Sequence, residues 1–271
     1  MSLQNWLGSN ALKSSAAIHG AALLGTVLSP QHWVLGLGAV AANHVLLTAA
    51  TLTAKNPLFG KNITRLPPQA IARQEISLTF DDGPHPVYTP QVMEFLDGAD
   101  AKATFFCIAE QARQYPALLR DMVARGHSVE NHSFGHPHLF SLYGPQRIKR
   151  EISDAQKVLS DLTGVAPRFF RPPVGFANPF LAPVLAELAL TLATWTRRGF
   201  DTRDHHLPRV LNRLGNGLVA GDILLLHDAN SALMHDFFPT PIILRLLPAV
   251  LQLSLARQLR CVTLPQAFDA H

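Results

Sequence analysis

At 271 residues and 29.6 kDa the chain has room for one large domain or two small ones. Its 48% hydrophobic and 15% charged content, with a mean hydropathy of +0.13, excludes a disordered chain. That charge content lies below the roughly 25% usual for soluble domains, so some apolar surface is expected to face something other than water. The formal charge of +4 is unevenly placed. Residues 1–74 hold Lys13, Lys55, Lys61, Arg65 and Arg73 and no acidic side chain. The remainder sets 18 of the 23 basic residues against all 19 acidic ones, which argues against a nucleic-acid partner. Cys107 and Cys261 lie in apolar strand-like runs and read as free thiols, not as a disulfide framework.

No charged side chain interrupts the stretch between Lys13 and Lys55. Two apolar runs fill it, Ala16–Leu28 (reaching back to about Ala11) and Trp33–Ala54, with the helix-breaking pair Ser29-Pro30 between them. The second run has 22 residues, enough to cross a hydrocarbon core of about 30 Å. His19, Asn43 and His44 are expected to bond across the hairpin, and Gly20, Gly25, Gly36 and Gly38 to let its helices close up. Lys13 and the run after it also fit a signal peptide, but no small-residue cleavage site follows Leu28. Two helices buried on a soluble domain are the other competitor. The flanking charges favour a transmembrane hairpin over residues 1–54, with the lipid bilayer as partner. The expected location is a membrane, of the bacterial inner-membrane type. The loop Ser29–His32 carries no Lys or Arg, so the positive-inside rule places both ends of the hairpin, and the domain that follows, on the cytoplasmic side.

Residues 55–74, with Pro57, Pro67, Pro68 and four basic residues, read as a linker. From residue 75 to 271 short apolar strands alternate with helical stretches. The strands are expected at Ile76–Phe80, Ala103–Ile108, His127–Glu130, Arg168–Phe170, Leu190–Trp195, Ile223–Leu226 and Arg260–Leu264. Helices are expected over Pro145–Thr163 and Pro239–Gln258, among others. That order predicts an α/β fold of parallel strands with helices outside, an open sheet or a barrel. Functional residues should then gather at the C-terminal ends of the strands.

Four of those ends carry chemistry. Asp81-Asp82 follows the first strand before Gly83-Pro84, and two desolvated carboxylates that close together are costly without a cation. A turn using Asp as a local acceptor accounts for the same letters. The third strand runs into His132 and His136, four apart, so that one helical turn would point both at a single ion. Two imidazoles and a carboxylate make the three-ligand, open-position set of catalytic zinc; two surface histidines are the plainer alternative. His127 and His138 read as structural. Arg171 ends the fourth strand, where its fork can lock a carboxylate, and Pro172-Pro173 stiffen a backbone whose amides can face an oxyanion. His227 tops a run of four apolar residues and titrates near neutrality, as a general acid or as a capped core histidine.

Taken together these segments resemble a known family. Thr79-Phe80-Asp81-Asp82-Gly83, His132-Ser133 with His136, Arg171-Pro172-Pro173 and Leu225-Leu226-His227 resemble, in order, the motifs of the polysaccharide deacetylases. These are the family-4 carbohydrate esterases, or NodB homology domain. Thr104-Phe105-Phe106 and Asn131 fit the same pattern, and the resemblance spans about residues 75–265. It implies a distorted (β/α) barrel, here of about seven parallel strands. It implies one divalent metal ion, usually zinc, on Asp82, His132 and His136. It implies Asp81 as general base held by Arg171, His227 as general acid, Asp201 as the partner of His227, a Val174 N–H at the oxyanion, and Leu225 lining an acyl pocket. The implied activity is a carbon–nitrogen hydrolase that removes an N-acetyl or related acyl group from an amino sugar in a polysaccharide, oligosaccharide or lipid-linked glycan. O-deacetylation of a polysaccharide is the near alternative. A non-catalytic, membrane-tethered carbohydrate-binding protein on the same scaffold is the other, and it fits poorly with Asp81, Asp82 and both metal histidines all present.

Two departures stand out. Val174 replaces an aromatic residue usual in the third motif, and Thr202 replaces the tryptophan that usually follows the aspartate of the fourth. Arg197, Arg198 and Arg203 crowd that fourth segment. They read first as a solvated charge run, and otherwise as contacts for an anionic or phosphorylated substrate.

Overall fold

The computed structural model describes residues 10–51, 61–229 and 241–269. Lys55, Pro57 and the start of the helix expected at Pro239 lie outside them. Nine strands form one all-parallel curled sheet: β1 (Asn62–Ile63), β2 (Glu75–Asp81), β3 (Ala103–Cys107), β4 (Ser128–Asn131), β5 (Phe169–Phe170), β6 (Thr191–Ala193), β7 (Arg197–Arg198), β8 (Ile223–His227) and β9 (Arg260–Cys261). Their spatial order is β1-β6-β5-β4-β3-β2-β8-β7, with β9 pairing the start of β2. Helices cross between successive strands except from β6 to β7, which are joined by a three-residue turn and do not pair. The seven expected strands are present, and β1 and β7 are two short additions at the ends of the sheet.

Residues 61–74, expected as linker, are built into this domain instead. β1 pairs β6, a short helix follows at Pro68–Ala72, and Leu66 and Ala70 are buried in the barrel interior. Arg65 reaches Asp222 at 3.3 Å and Arg73 reaches Glu75 at 2.8 Å, so two of the flanking basic residues are tied into the fold.

β2 shows how strand alternation sets the site. It is buried along its whole length, as a central parallel strand is on both faces. Ile76, Leu78 and Phe80 face the outer helices with Val92, Met93 and Leu246. Thr79 and Asp81 point the other way, into the barrel, where they meet Arg171. β8 alternates likewise: Leu224 and Leu226 join the outer core, and Leu225 joins the interior with Phe106 and Trp195. The helix Pro145–Thr163 follows its expected bounds. Proline opens it, Gly164 closes it at φ 73°, and Ile148, Ile152, Ala155 and Leu159 form the buried stripe.

The N-terminal helices Asn10–Leu28 and Trp33–Thr51 form a hairpin, and the spans Asn10–Leu28 and Pro30–Thr51 are long and apolar enough to cross a membrane. The polar groups of the hairpin meet one another. The Asn43 amide donates to Ser15 Oγ at 2.9 Å, and the His19 and His44 rings stand edge to face at 5.2 Å. Apolar side chains point outward, with Leu28 72% and Leu35 71% exposed. At Gly36 an added Cβ would come 3.2 Å from the Ala22 carbonyl, so this glycine permits the close approach. The base of the hairpin rests on the domain. Ala50, with Ala11 and Leu47, packs in a cluster with Phe140, Ile148, Phe170, Ala177 and Leu181.

Candidate active site

The C-terminal ends of β2, β4, β5 and β8 converge on a pocket of about 310 Å³, at the small end of the roughly 300–1,000 Å³ usual for ligand clefts. Asp81, Asp82, His132, His136, Val174, Leu225 and His227 all line it.

The two adjacent carboxylates are separated by a backbone reversal. Asp81 ends β2 in extended geometry and looks into the barrel. Asp82 has φ 74°, a conformation that aspartate tolerates better than most residues, and turns its carboxylate toward the histidines. Gly83 follows because nothing larger fits: an added Cβ would sit 2.5 Å from both Asp228 carboxylate oxygens.

Arg171 is fully buried and uses its whole fork. Nη1 donates to Asp81 Oδ1 at 2.6 Å and to Thr79 Oγ1 at 2.8 Å; Nη2 and Nε donate to the carbonyls of Thr194 (2.8 Å) and Ala193 (3.1 Å). Its guanidinium also lies 4.1 Å over the Phe106 ring. A buried ion pair in which all three guanidinium nitrogens donate is rigid, so Asp81 is held in one orientation.

His132 and His136 do not share a helical turn. They sit in a loop pinned by Asn131, whose Oδ1 accepts the Ser133 N–H at 2.9 Å and whose amide donates to the Ile152 carbonyl and Gln156 at 3.0 Å. Ser133 (φ 69°) and His136 (φ 51°) take left-handed conformations, and the Ser133 hydroxyl accepts the His136 N–H at 3.0 Å. That loop brings His132 Nε2 to 3.4 Å and His136 Nε2 to 3.1 Å from Asp82 Oδ1.

The three donor atoms lie within 4.8 Å of one another. His132 Nδ1 donates to the Arg171 carbonyl at 2.8 Å, which turns its Nε2 lone pair toward the other two. Two imidazole nitrogens and one carboxylate oxygen, so oriented, fit a single divalent ion. Burial works against the charge on Asp82, but hydrogen bonds to His132 and His136 and the charge of His227 hold its carboxyl well below the usual range.

Across the pocket His227 Nδ1 donates to Asp201 Oδ1 at 2.9 Å, and the His227 backbone N–H donates to the other oxygen at 2.9 Å. Burial lowers this imidazole, but the charge and hydrogen bond of Asp201, then Asp82 and Asp81, outweigh it and raise it to about 9. The ring is thus a proton donor at neutral pH. Val174 stands at φ 61° on the same pocket, strained for a β-branched residue, as backbone at functional sites often is.

The chain matches the family described as polysaccharide deacetylase over residues 70–193. It is 38% identical over 160 residues to a chitooligosaccharide deacetylase of Azorhizobium caulinodans, an alignment covering 58% of this chain and 74% of that one. The chain belongs to the polysaccharide deacetylase family. It is also 33% identical to the peptidoglycan-N-acetylmuramic acid deacetylase PdaC of Bacillus subtilis, over 56% of this chain but only 32% of that longer protein. A solved family-4 carbohydrate esterase from Streptomyces lividans, in complex with acetate, superposes with a TM-score of 0.61 at 30% identity, covering 69% of this chain and 91% of that one. The B. subtilis PdaC structure gives 0.63 at 26% identity, with 72% and 89% covered. The fold is that of these solved relatives, and the family makes this chain a carbohydrate deacetylase.

Several pocket residues escaped the sequence reading. His138, expected to be structural, lines the pocket, edge to face with His136 at 5.7 Å. Its place in the His132–His136 loop was the available signal. Trp195 also lines it, at the turn from β6 into β7, a strand too short to show in the sequence; Arg198, which the sequence already offered as a contact for an anionic substrate, lines it from β7. Asp228, packed under Gly83 and pushed by burial up to about 7, had only its neighbour His227 to mark it. His127 is buried against Phe105 and takes no part in the pocket.

Proposed function

We propose that this chain hydrolyses the N-acetyl or a related acyl amide of an amino sugar, in a polysaccharide, an oligosaccharide or a lipid-linked glycan. The observation that carries this is one pocket holding an arginine-locked carboxylate, a three-donor metal site and a histidine poised as an acid, in a chain of the deacetylase family. Asp82, His132 and His136 would hold one divalent ion, and zinc suits the donor set. When bound, that ion supplies Lewis acidity, polarising an acyl oxygen and acidifying water.

The chain's own residues do the rest. Asp81, oriented by Arg171, accepts the proton of the attacking water. Oxygen–carbon bond formation puts negative charge on the acyl oxygen, and the N–H of Val174, which lines the pocket, is the backbone donor assigned to it. The carbon–nitrogen bond breaks only when the amine is protonated. His227, kept charged by Asp201, gives that proton. Leu225 closes the pocket around a small acyl group. Carboxylate and free amine leave.

The hairpin is read as the membrane anchor. Its apolar exterior and the Asn43–Ser15 hydrogen bond between its helices suit lipid, and its base packs on loops that follow β4 and β5, on the same face as the pocket. The flanking positive charges place both its ends, and the domain, on the cytoplasmic side. Among the described residues Lys13 and Lys61 are the flanking charges left for lipid headgroups, since Arg65 and Arg73 are engaged in the domain. Zinc-reconstituted full-length protein in detergent should release acetate from N-acetylated chitooligosaccharides or from lipid-linked N-acetylated amino sugars. No release from any of them sinks the hydrolase reading. Cysteine labelling from either side of intact vesicles tests the topology, and an external C-terminal domain overturns it.

A further inference from the structure

The stretch from the end of β6 through the helix Leu207–Gly215 holds five arginines, and the structure sorts them. Arg197 is bound to Asp222 and to the carbonyls of Asn216 and Gly217. Arg209 and Arg213 share Asp204, at 3.0 and 2.8 Å. Arg198 and Arg203 have no carboxylate partner among the described residues, and these two line the catalytic pocket. The sequence reading of a solvated charge run fits neither the bound Arg197 nor the half-buried Arg198.

Arg198 stands out further. Its guanidinium lies 4.8 Å over the Phe200 ring and 5.3 Å over the Trp195 ring, which fix its plane without using its N–H groups. Its Nε is buried and makes no hydrogen bond. An unpaired buried donor costs free energy, and a second positive charge close by adds to the cost. The charges of Asp81, Asp201 and Asp82 offset part of this through space, but none of the three pairs with Arg198: Asp81 holds Arg171, Asp82 holds His132 and His136, and Asp201 holds His227. Two guanidiniums that line one pocket without a paired carboxylate suit an oxyanion. Two charges match a phosphate better than a single carboxylate, and arginine suits phosphate by its planar fork.

We propose that Arg198 and Arg203 form a subsite for a phosphate group carried by the amino-sugar substrate. It follows that the preferred substrate is a phosphorylated amino sugar, such as a glycosyl phosphate on a lipid carrier, and not an uncharged glycan. This rests on the deacetylase reading for the identity of the sugar, but not for the existence of the anion site.

Binding and turnover separate the two. In the zinc-loaded, full-length Asp81→Asn protein, calorimetry compares N-acetylglucosamine 1-phosphate with N-acetylglucosamine and with N-acetylmuramic acid. The phosphate should tighten binding by about 10- to 100-fold, the span expected for hydrogen bonds to a charged group. Arg198→Gln and Arg203→Gln should each remove most of that gain. Arg203 is exposed, so its replacement keeps the test valid if Arg198→Gln misfolds. Arg198→Lys should restore only part of it. A gain that survives both glutamine substitutions lies on the metal and overturns the proposal. An equal gain with the carboxylate of N-acetylmuramic acid overturns the phosphate assignment. In otherwise wild-type protein, the ratio of kcat/KM for the phosphorylated over the neutral sugar should fall with either substitution. Acetate release with an unchanged ratio leaves the deacetylase standing and the subsite refuted. Arginine-dependent phosphate binding without acetate release from any sugar does the reverse.

Discussion

The hairpin and the barrel are built by opposite rules. In the barrel Phe80, Leu78 and Leu226 are sealed from solvent, and the charge of the fully buried Arg171 is matched by Asp81. In the hairpin many leucines and valines point out, while Asn43 and Ser15 meet between the helices and the exposed rings of His19 and His44 touch edge to face. One chain thus buries apolar surface against itself in one region and offers it to its surroundings in the other. The difference teaches where each region's stability comes from. The barrel is held by water's exclusion from its core. The hairpin interface has only close packing and a few polar contacts, which is what suffices between helices in lipid.

The largest expected effect is at the metal site. His132→Ala should abolish stoichiometric zinc in elemental analysis and cost more activity than the roughly 10- to 100-fold typical of outer ligand partners. A full equivalent of metal retained in that variant contradicts the ligand assignment. Asp81→Asn and His227→Ala come next, each lowering turnover on an amide substrate by about 10²- to 10⁴-fold. Asp81→Asn should keep its metal, because Asp81 lies outside the three-donor set.

Substituting apolar residues separates the two regions directly. Ile152→Ala, at a fully buried position of the barrel, should lower unfolding free energy by about 2–5 kcal/mol in denaturant titrations. Leu35→Ala, at 71% exposure, should leave that titration nearly unchanged. Equal losses at both would mean that the hairpin is a folded extension of the barrel core.

Two smaller effects sharpen the picture. His227 acts as an acid only while protonated, and it is raised to about 9, so turnover should fall as pH rises through about 9. Asp201→Asn removes the charge that raises it, so this alkaline limb should move to lower pH in a kcat profile. A limb that stays in place separates His227 from the acid role. Asn43→Ala removes the cross-hairpin hydrogen bond and should weaken helix association by about 0.6 kcal/mol in bilayers, with turnover of a soluble substrate unchanged.

Much of this was legible in the chain, for local reasons. The charge-free span between Lys13 and Lys55 marks the hairpin by composition alone. Parallel strands buried on both faces leave unbroken apolar runs, so β2, β3 and β8 announce themselves, and their polar terminal residues mark the rim of the barrel. The helix Pro145–Thr163 carries its own start, stop and stripe. Other features depend on what the chain meets in space. β1 and β7 are two residues each and exist only because neighbouring strands offer hydrogen bonds, which is why residues 61–74 read as linker and proved to be sheet and core. The spacing of His132 and His136 suggests a helical turn, yet left-handed Ser133 and His136, pinned by Asn131, do the work of bringing them together. The arginines from 197 to 213 are alike in the sequence. Only folding pairs Arg197, Arg209 and Arg213 with carboxylates and leaves Arg198 and Arg203 facing the pocket, because a charge's role is set by its neighbours in space and not by its neighbours in the chain.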